Sequence, residues 1–326
     1  MQVSIIIPFY NAANYLHLPI NSLKNQTCTD FEVILVNDGS TDNSCNVAKN
    51  LIDNDPRFKI LNQQNSGPGA ARNFGIKAAK EDFIGFIDSD DYFHEDFIKL
   101  MITKALADNA DIVICEITKV DEQGNVIEHY PIKYDRPIGR MEAFADIMQS
   151  INISSSTPNK IFKKDLFLKV EFPDNIRVNE DSATVYRLIL NADIITFVNK
   201  PLFNYMQRSG SSMNSFNYSK LSDRFKVADM IKNYMCNNNL DDYMHLYNIY
   251  YLQNVVLSGA LQIARFSDEY NNDIEKLISN IDKNIFSIVN IIKLLKNAKN
   301  KAMALIALKI SKRLFRFIAL SLSRRK

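Results

Sequence analysis

The sequence has few cysteines, no long apolar run and no patterned metal ligands. Its four cysteines, Cys28, Cys45, Cys115 and Cys236, are far apart and show no C-x-x-C spacing. That argues against a zinc site or a disulfide scaffold and fits a reducing cytosol. The four histidines match no metal spacing. No stretch of about 18 apolar residues occurs, so no spanning helix is expected. No basic segment or small-residue cleavage site accompanies the opening "VSIIIPFY", so no signal peptide is expected either. Without secretion the Asn152-Ile153-Ser154 sequon is idle. Neither an internal repeat nor a low-complexity tract is present.

With 46% hydrophobic and 23% charged residues, the 326-residue chain is an ordinary globular protein rather than a disordered one. Its length suits one large domain with an appendage, or two domains. The net charge of +2 conceals an asymmetry, because Lys293 to Lys326 holds eleven Lys/Arg and no Asp/Glu. The rest of the chain carries 28 basic against 37 acidic residues. An acidic body with a basic tail points the tail at an anionic partner.

Over the first hundred residues, short apolar runs alternate with helical patterns. Strands are expected at 3–7, 31–36, 58–61 and 83–87, each mainly apolar, as parallel strands covered on both faces are. Helices are expected at Tyr15–Lys24, Ser44–Ile52 and Ala70–Ala79. This rhythm predicts a parallel sheet with right-handed crossovers. A helix near 95–107 and strands near 111–118, 194–198 and 202–206 follow. From Phe216 to about Lys299 the pattern is helical. The segment "ALIALKISKRLFRFIALSL" reads as a helix with Lys309, Lys312, Arg313 and Arg316 in one sector.

Ligands bind beyond the carboxyl ends of strands in such sheets. Those ends here carry Pro8-Phe9-Tyr10-Asn11, Asn37-Asp38-Gly39-Ser40 and Asp88-Ser89-Asp90-Asp91. Asp88-x-Asp90 offers hard oxygen ligands for Mg²⁺ or Mn²⁺, which can clamp a diphosphate; a solvated turn or a helix cap remains the plain alternative. Asp38 is either a turn former or an acceptor for a base or ribose donor. In "NSGPGAARNFGI", a glycine-proline-glycine turn opens a helix carrying Arg72, suited to phosphate or carbonyl recognition. It is neither a Walker loop nor a dinucleotide fingerprint.

Together, "VSIIIPFYNAANYL", "FEVILVNDGSTDNS", "NSGPGAARNFGI" and "FIGFIDSDDYF" resemble, in order and spacing, the nucleotide-binding half of family 2 glycosyltransferases. These are inverting enzymes of the GT-A fold, of the kind that build bacterial surface polysaccharides. The resemblance is dense over 1–100 and legible to about 215. It implies an α/β, Rossmann-like, mainly parallel GT-A domain followed by a helical region. The donor-binding half would span 1–100 and the acceptor half 101–215, with a helical region at 216–300 and a basic amphipathic helix at 301–326.

The resemblance also implies roles. Pro8 and Tyr10 line a base pocket, Asp38 binds uracil or ribose, and Arg72 contacts the nucleotide. Asp90 is the favoured metal ligand with Asp88 nearer the ribose, while "DSDD" leaves Asp91 open. In "RVNEDSATVYRLIL", Glu180-Asp181 is either an acidic first turn or the family's acidic pair, with Asp181, its second member, the favoured base and Glu180 the alternative. "TPNKIFKKDLF" resembles the acceptor-side segment, so Lys160 either snorkels to solvent or faces the donor. "YMQRSGSSMN" resembles a loop closing over the diphosphate, with Arg208 and Ser212 as contacts, or is merely flexible.

The reading is therefore a metal-dependent, inverting transfer of a hexose or N-acetylhexosamine from a UDP-sugar to a glycan, with Mn²⁺ or Mg²⁺ as cofactor. The basic helix either lies on an anionic leaflet at the inner face of the cell membrane or packs on the protein or a second copy. The first option makes a lipid-diphosphate-linked glycan the natural acceptor. A nucleotidyltransferase would need a basic, glycine-rich loop after the first strand, which "PFYNAANYL" lacks. A non-catalytic sugar-binding membrane adaptor would tolerate Asp181→Asn. Nucleic acid is disfavoured by the acidic body.

Overall fold

The computed structural model describes residues 2–208, 216–295 and 298–323. The chain divides into two compact units. The first runs to Ile147 and resumes over Asn152–Arg208; the second comprises Met148–Ile151 and the chain after Arg208.

In the first unit, β1 (Val3–Phe9), α1 (His17–Lys24), β2 (Glu32–Asp38), α2 (Ser44–Ile52), β3 (Phe58–Gln63), α3 (Pro68–Ala78) and β4 (Phe83–Phe86) alternate as the sequence predicts. They are followed by β5 (Tyr92–Phe93), α4 (Phe97–Ala107), β6 (Ile112–Val120), β7 (Val126–Tyr130), α5 (Arg140–Gln149), β8 (Lys160–Lys163), α6 (Glu180–Asn191) and β9 (Ile195–Met206). One sheet takes the order β3-β2-β1-β4-β8-β6-β9-β5, with β7 beside β6. The strands β3, β2, β1 and β4 are parallel, so their carboxyl ends share one rim. An antiparallel β8 then separates β4 from β6, which pairs in parallel with β9. The parallel half is the Rossmann-like part; the inserted β8 makes the whole sheet mixed.

Every residue of β1 and β2 is buried, which is why their 5–7 and 33–36 stretches read as apolar runs. The two strands expected at 194–198 and 202–206 are a single β9. Its Asn199-Lys200-Pro201 stretch is an irregularity in register against Glu116 rather than a break; proline is tolerated in a strand at such a bulge. α3 packs on β1 through Gly75, where an added Cβ would lie 2.5 Å from Ile6 Cγ2. Helix and sheet therefore approach more closely than a side chain would allow.

The second unit is helical: α7 (Tyr218–Asn237), α8 (Met244–Tyr250), α9 (Ser258–Phe266), α10 (Tyr270–Asn280), α11 (Ile288–Leu294), α12 (Lys299–Ile310) and α13 (Lys312–Ser323). A π-helical turn at Tyr251–Leu257 joins α8 to α9. The single basic helix expected over 301–326 is instead two helices, because Ser311 is extended (φ −155°, ψ 118°). Apolar spacing cannot see such a break, since buried Leu305, Leu308, Phe315 and Ala319 lie on both sides of it. Nor do its cations form one free face. Lys309 Nζ donates to Phe286 O at 2.8 Å, Lys312 pairs with Glu275 at 2.7 Å, and Arg316 lies 4.5 Å over the Tyr270 ring.

Gly75→Ala should destabilise the protein by about 1–3 kcal/mol through overpacking against Ile6, although alanine is the better helix former. A chemical-denaturation midpoint equal to or above wild type would contradict this packing.

Candidate active site

The parallel rim gathers the polar clusters that follow the strands. After β1, Asn11 (φ 49°) reaches the loop after β2: its Oδ1 accepts from Thr41 N at 2.8 Å. After β2, Asp38 is buried and accepts from Gln63 Nε2 (2.7 Å), Ser66 N (2.8 Å) and Gly67 N (2.9 Å). The aspartate thus pins the turn that opens α3, the turn-forming role. Its two oxygens still have acceptor capacity for one more donor. Pro8 is buried within β1, while the Tyr10 ring is exposed beside it.

Gly67 (φ 94°) precedes Pro68 at the first turn of α3 and delivers Arg72 to the rim. Arg72 is 3% exposed. Its Nη2 donates to Asp88 Oδ1 at 2.9 Å and its Nη1 to Glu180 Oε1 at 2.6 Å, with Asp181 Oδ1 3.6 Å away. One guanidinium thereby joins the turn after β4 to the first turn of α6, whose Glu180 lies 108 residues beyond Arg72 itself. Burial works against its charge, but Asp181, Asp88 and Glu180 more than offset that, so it stays protonated. Burial pushes the Glu180 carboxyl up to about 7, with Arg72 opposing the rise.

Asp181 follows Glu180 in the first turn of α6, which Asn179 enters in the left-handed region (φ 70°), a conformation asparagine tolerates better than most residues. Its Oδ2 accepts from Thr157 N (3.0 Å) and Thr157 Oγ1 (3.1 Å). Its Oδ1 has no hydrogen-bond partner, and neither has Arg72 Nε. Lys160 is fully buried, ammonium included, rather than snorkelling. Its Nζ donates to Ser156 O at 2.6 Å and Asn159 Oδ1 at 2.7 Å, bracing the loop that presents Thr157. Burial drives this lysine down to about 7, with the Asp181 charge opposing.

The three aspartates after β4 have separate environments. Asp88 faces Arg72. Asp90 Oδ2 receives Arg208 Nε at 2.5 Å, and that guanidinium also lies 4.4 Å over the Tyr15 ring. Asp91 is turned inward and accepts from Met206 N at 2.8 Å, closing β9 against the turn. Ser212 lies outside the described residues. Among the described residues, no group of three or more His, Cys, Asp or Glu is arranged to hold an ion.

Residues the sequence does not single out also build this site. Asn73, one position beyond Arg72, bonds Phe172 through both its amide groups (2.8 and 2.9 Å) and so carries the 172 segment toward α6. Thr157 and Asn11 act likewise. Their partners lie 24 to 99 residues away, so no local pattern marks them.

Residues 4–170 match the model of the family described as glycosyl transferase family 2. The chain belongs to that family. Among curated relatives, this family 2 glycosyltransferase is 35% identical over 222 residues to the glycosyltransferase GlyG of Streptococcus pneumoniae serotype 4, across 65% of this chain and 73% of GlyG. It is 30% identical over 233 residues to a cholesterol galactosyltransferase of Borreliella burgdorferi, across 68% of this chain and 65% of that protein. Among solved structures, S. aureus TarS 1-349 in complex with UDP-GlcNAc aligns with a TM-score of 0.65 at 21% identity, covering 100% of this chain and 93% of that one. That likeness shows the fold, and the expected GT-A architecture with a helical C-terminal region is the one observed.

Arg72→Met should cost about 3–5 kcal/mol, the usual penalty for stranding buried charge. Removing Arg72 also removes the leading influence that holds Glu180 down. A carboxyl whose folded pKa is raised gives its stability below the unfolded value and loses it as pH climbs through the folded one. The variant's thermal-midpoint deficit should therefore be level up to about 6 and grow from about 6 through 7 and above, the range in which Asp88 and then Glu180 ionise in the wild type while staying protonated in the variant. A deficit constant across that range would contradict the cluster's electrostatics.

Proposed function

We propose that this glycosyltransferase moves a hexose or N-acetylhexosamine from a UDP-sugar, with inversion, to a glycan acceptor used in cell-surface polysaccharide synthesis. The observation that carries the reading is the convergence of Asp88 and the Glu180-Asp181 pair on the one buried guanidinium of Arg72. A UDP-sugar donor is supported by the TarS complex with UDP-GlcNAc. A lipid-borne acceptor at the inner face of the cell membrane is supported by the basic C-terminal segment and by a relative whose named acceptor, cholesterol, is a membrane lipid. No helix among the described residues is long and apolar enough to cross a membrane.

The donor would lie along the parallel rim, with the base near Pro8, Tyr10 and Asp38 and the diphosphate over Asp88 and Asp90. Two carboxylates on one turn suit Mg²⁺ or Mn²⁺, which binds through one or two carboxylates and completes its shell with substrate phosphates and water. When bound there, the ion supplies positive charge to the leaving diphosphate. Arg208, which follows β9 and rests on Asp90, can turn its guanidinium to the phosphates.

Asp181 is the base. Thr157 fixes Oδ2 and leaves Oδ1 without a hydrogen bond, so the carboxylate is oriented before the acceptor arrives. A buried acceptor atom without a partner is rare in native proteins, and an acceptor hydroxyl would satisfy this one. As the acceptor oxygen bonds the anomeric carbon, the bond from that carbon to the diphosphate oxygen breaks, the hydroxyl proton passes to Oδ1, and UDP leaves. Lys160 braces the loop that presents Thr157, and through it the orientation of Asp181.

Asp181→Asn should still bind UDP but lose sugar transfer by about 10²–10⁴-fold, measured as UDP release in the presence of acceptor and Mn²⁺. Undiminished turnover in that variant would remove Asp181 from the mechanism, and a wild type without turnover would favour a non-catalytic sugar-binding protein.

A further inference from the structure

The break at Ser311 leaves a feature in the helical unit that sugar transfer does not use. A groove of about 650 Å³ opens at the elbow between α12 and α13, within the size range of small-ligand sites. Its floor is apolar, from Ile278, Ile281, Phe286 and Leu308, and no acidic residue lines it. Four cations do: Lys283, Lys309, Lys312 and Arg313. Lys309 and Lys312 are committed to Phe286 O and Glu275. Lys283 and Arg313 are exposed and have no ion pair or side-chain hydrogen bond among the described residues.

Large apolar side chains stand exposed beside these two cations. Ile310, on the groove's lip, is 73% exposed, and Leu314 and Phe317, one and four positions after Arg313, are 45% and 72% exposed. α13 is held down on its other side by buried Phe315 and Ala319 and by the Tyr270 hydroxyl, which donates to Lys312 O at 2.5 Å. The elbow is thus a fixed surface presenting apolar points and unpaired positive charge together.

We propose that this elbow is a docking site for the phosphate headgroups of an anionic phospholipid leaflet. Ile310, Leu314 and Phe317 enter the boundary between headgroups and acyl chains, and Lys283 and Arg313 take the phosphates. Charge complementarity favours this occupant over a second copy of the chain. A two-fold contact would set this cationic patch against its own copy, with no acidic residue lining the groove to pair with it. Each twelve-residue helix is also about 18 Å long, too short to span a bilayer. The inference deepens the lipid-side reading of the acceptor and rests on it.

The test is flotation of the full chain with phosphatidylglycerol or phosphatidylcholine vesicles. Wild type should float with the anionic vesicles, at least about tenfold more strongly than with the zwitterionic ones, and salt should weaken it. The Lys283→Ser/Arg313→Ser double variant should bind about 30-fold more weakly, near fivefold per lost cation, and Phe317→Ser should weaken binding without changing charge. Both variants are surface changes, so the thermal midpoint and UDP release from the donor should stay at wild-type values. Wild-type binding with an unaffected double variant would overturn the groove while leaving the membrane reading intact. Wild type that floats with neither vesicle would overturn both. A dimer in sedimentation that Phe317→Ser dissociates would make this face an interface between copies and also overturn the proposal.

Discussion

The buried guanidinium of Arg72 is the constraint around which the active site is arranged. A cation at 3% exposure is tolerable only when carboxylates surround it, and Asp88, Glu180 and Asp181 come from two distant stretches of chain to do so. Meeting that demand fixes the turn after β4 against the start of α6. Asp38 and Gly67 set where α3 begins, Gly75 sets how closely it lies on β1, and Asn73 ties the 172 segment to it. The helix that carries Arg72 is therefore held at both ends and along its length, so the guanidinium has little freedom to miss its partners.

The same cluster is poised for exchange of charge. Glu180 and Lys160 are both displaced toward about 7 by burial, from opposite directions. Asp90 has Arg208 against it, and Arg208 in turn stacks on Tyr15. A diphosphate arriving with a divalent ion brings both signs of charge, so it can take over the arginine's contact and the carboxylate's contact in one step. Asp181 differs from its neighbours in having one oxygen held by two donors from Thr157 and the other without a hydrogen bond. That asymmetry is what an oriented base requires.

The parallel half of the sheet was legible because β1, β2 and β4 are buried on both faces and announce themselves as mainly apolar runs. The polar groups at their ends were legible through the rule that ligands gather there. What the sequence hid was contact at long range. Thr157 under Asp181, Arg208 on Asp90 and Asn73 on Phe172 depend on the sheet order that places β8 beside β4, which no local pattern encodes. Lys160 shows the limit of residue-type reasoning: lysines commonly snorkel, whereas this one sits at the head of β8 with three acceptors around its ammonium. Ser311 shows the limit of periodicity, since one extended residue redirected the basic tail while the apolar spacing ran on unchanged.

The claim that unites these observations is that the rim around Asp88 and Asp90 receives a nucleotide diphosphate. Isothermal titration of UDP into the full chain, with and without Mn²⁺, tests it most directly. Two carboxylates that share an ion with the diphosphate should make UDP binding at least about tenfold tighter with Mn²⁺, and Asp90→Ala should abolish that difference while leaving the fold intact. UDP affinity that is indifferent to Mn²⁺ in the wild type, or a Mn²⁺ effect that survives in Asp90→Ala, would contradict the account.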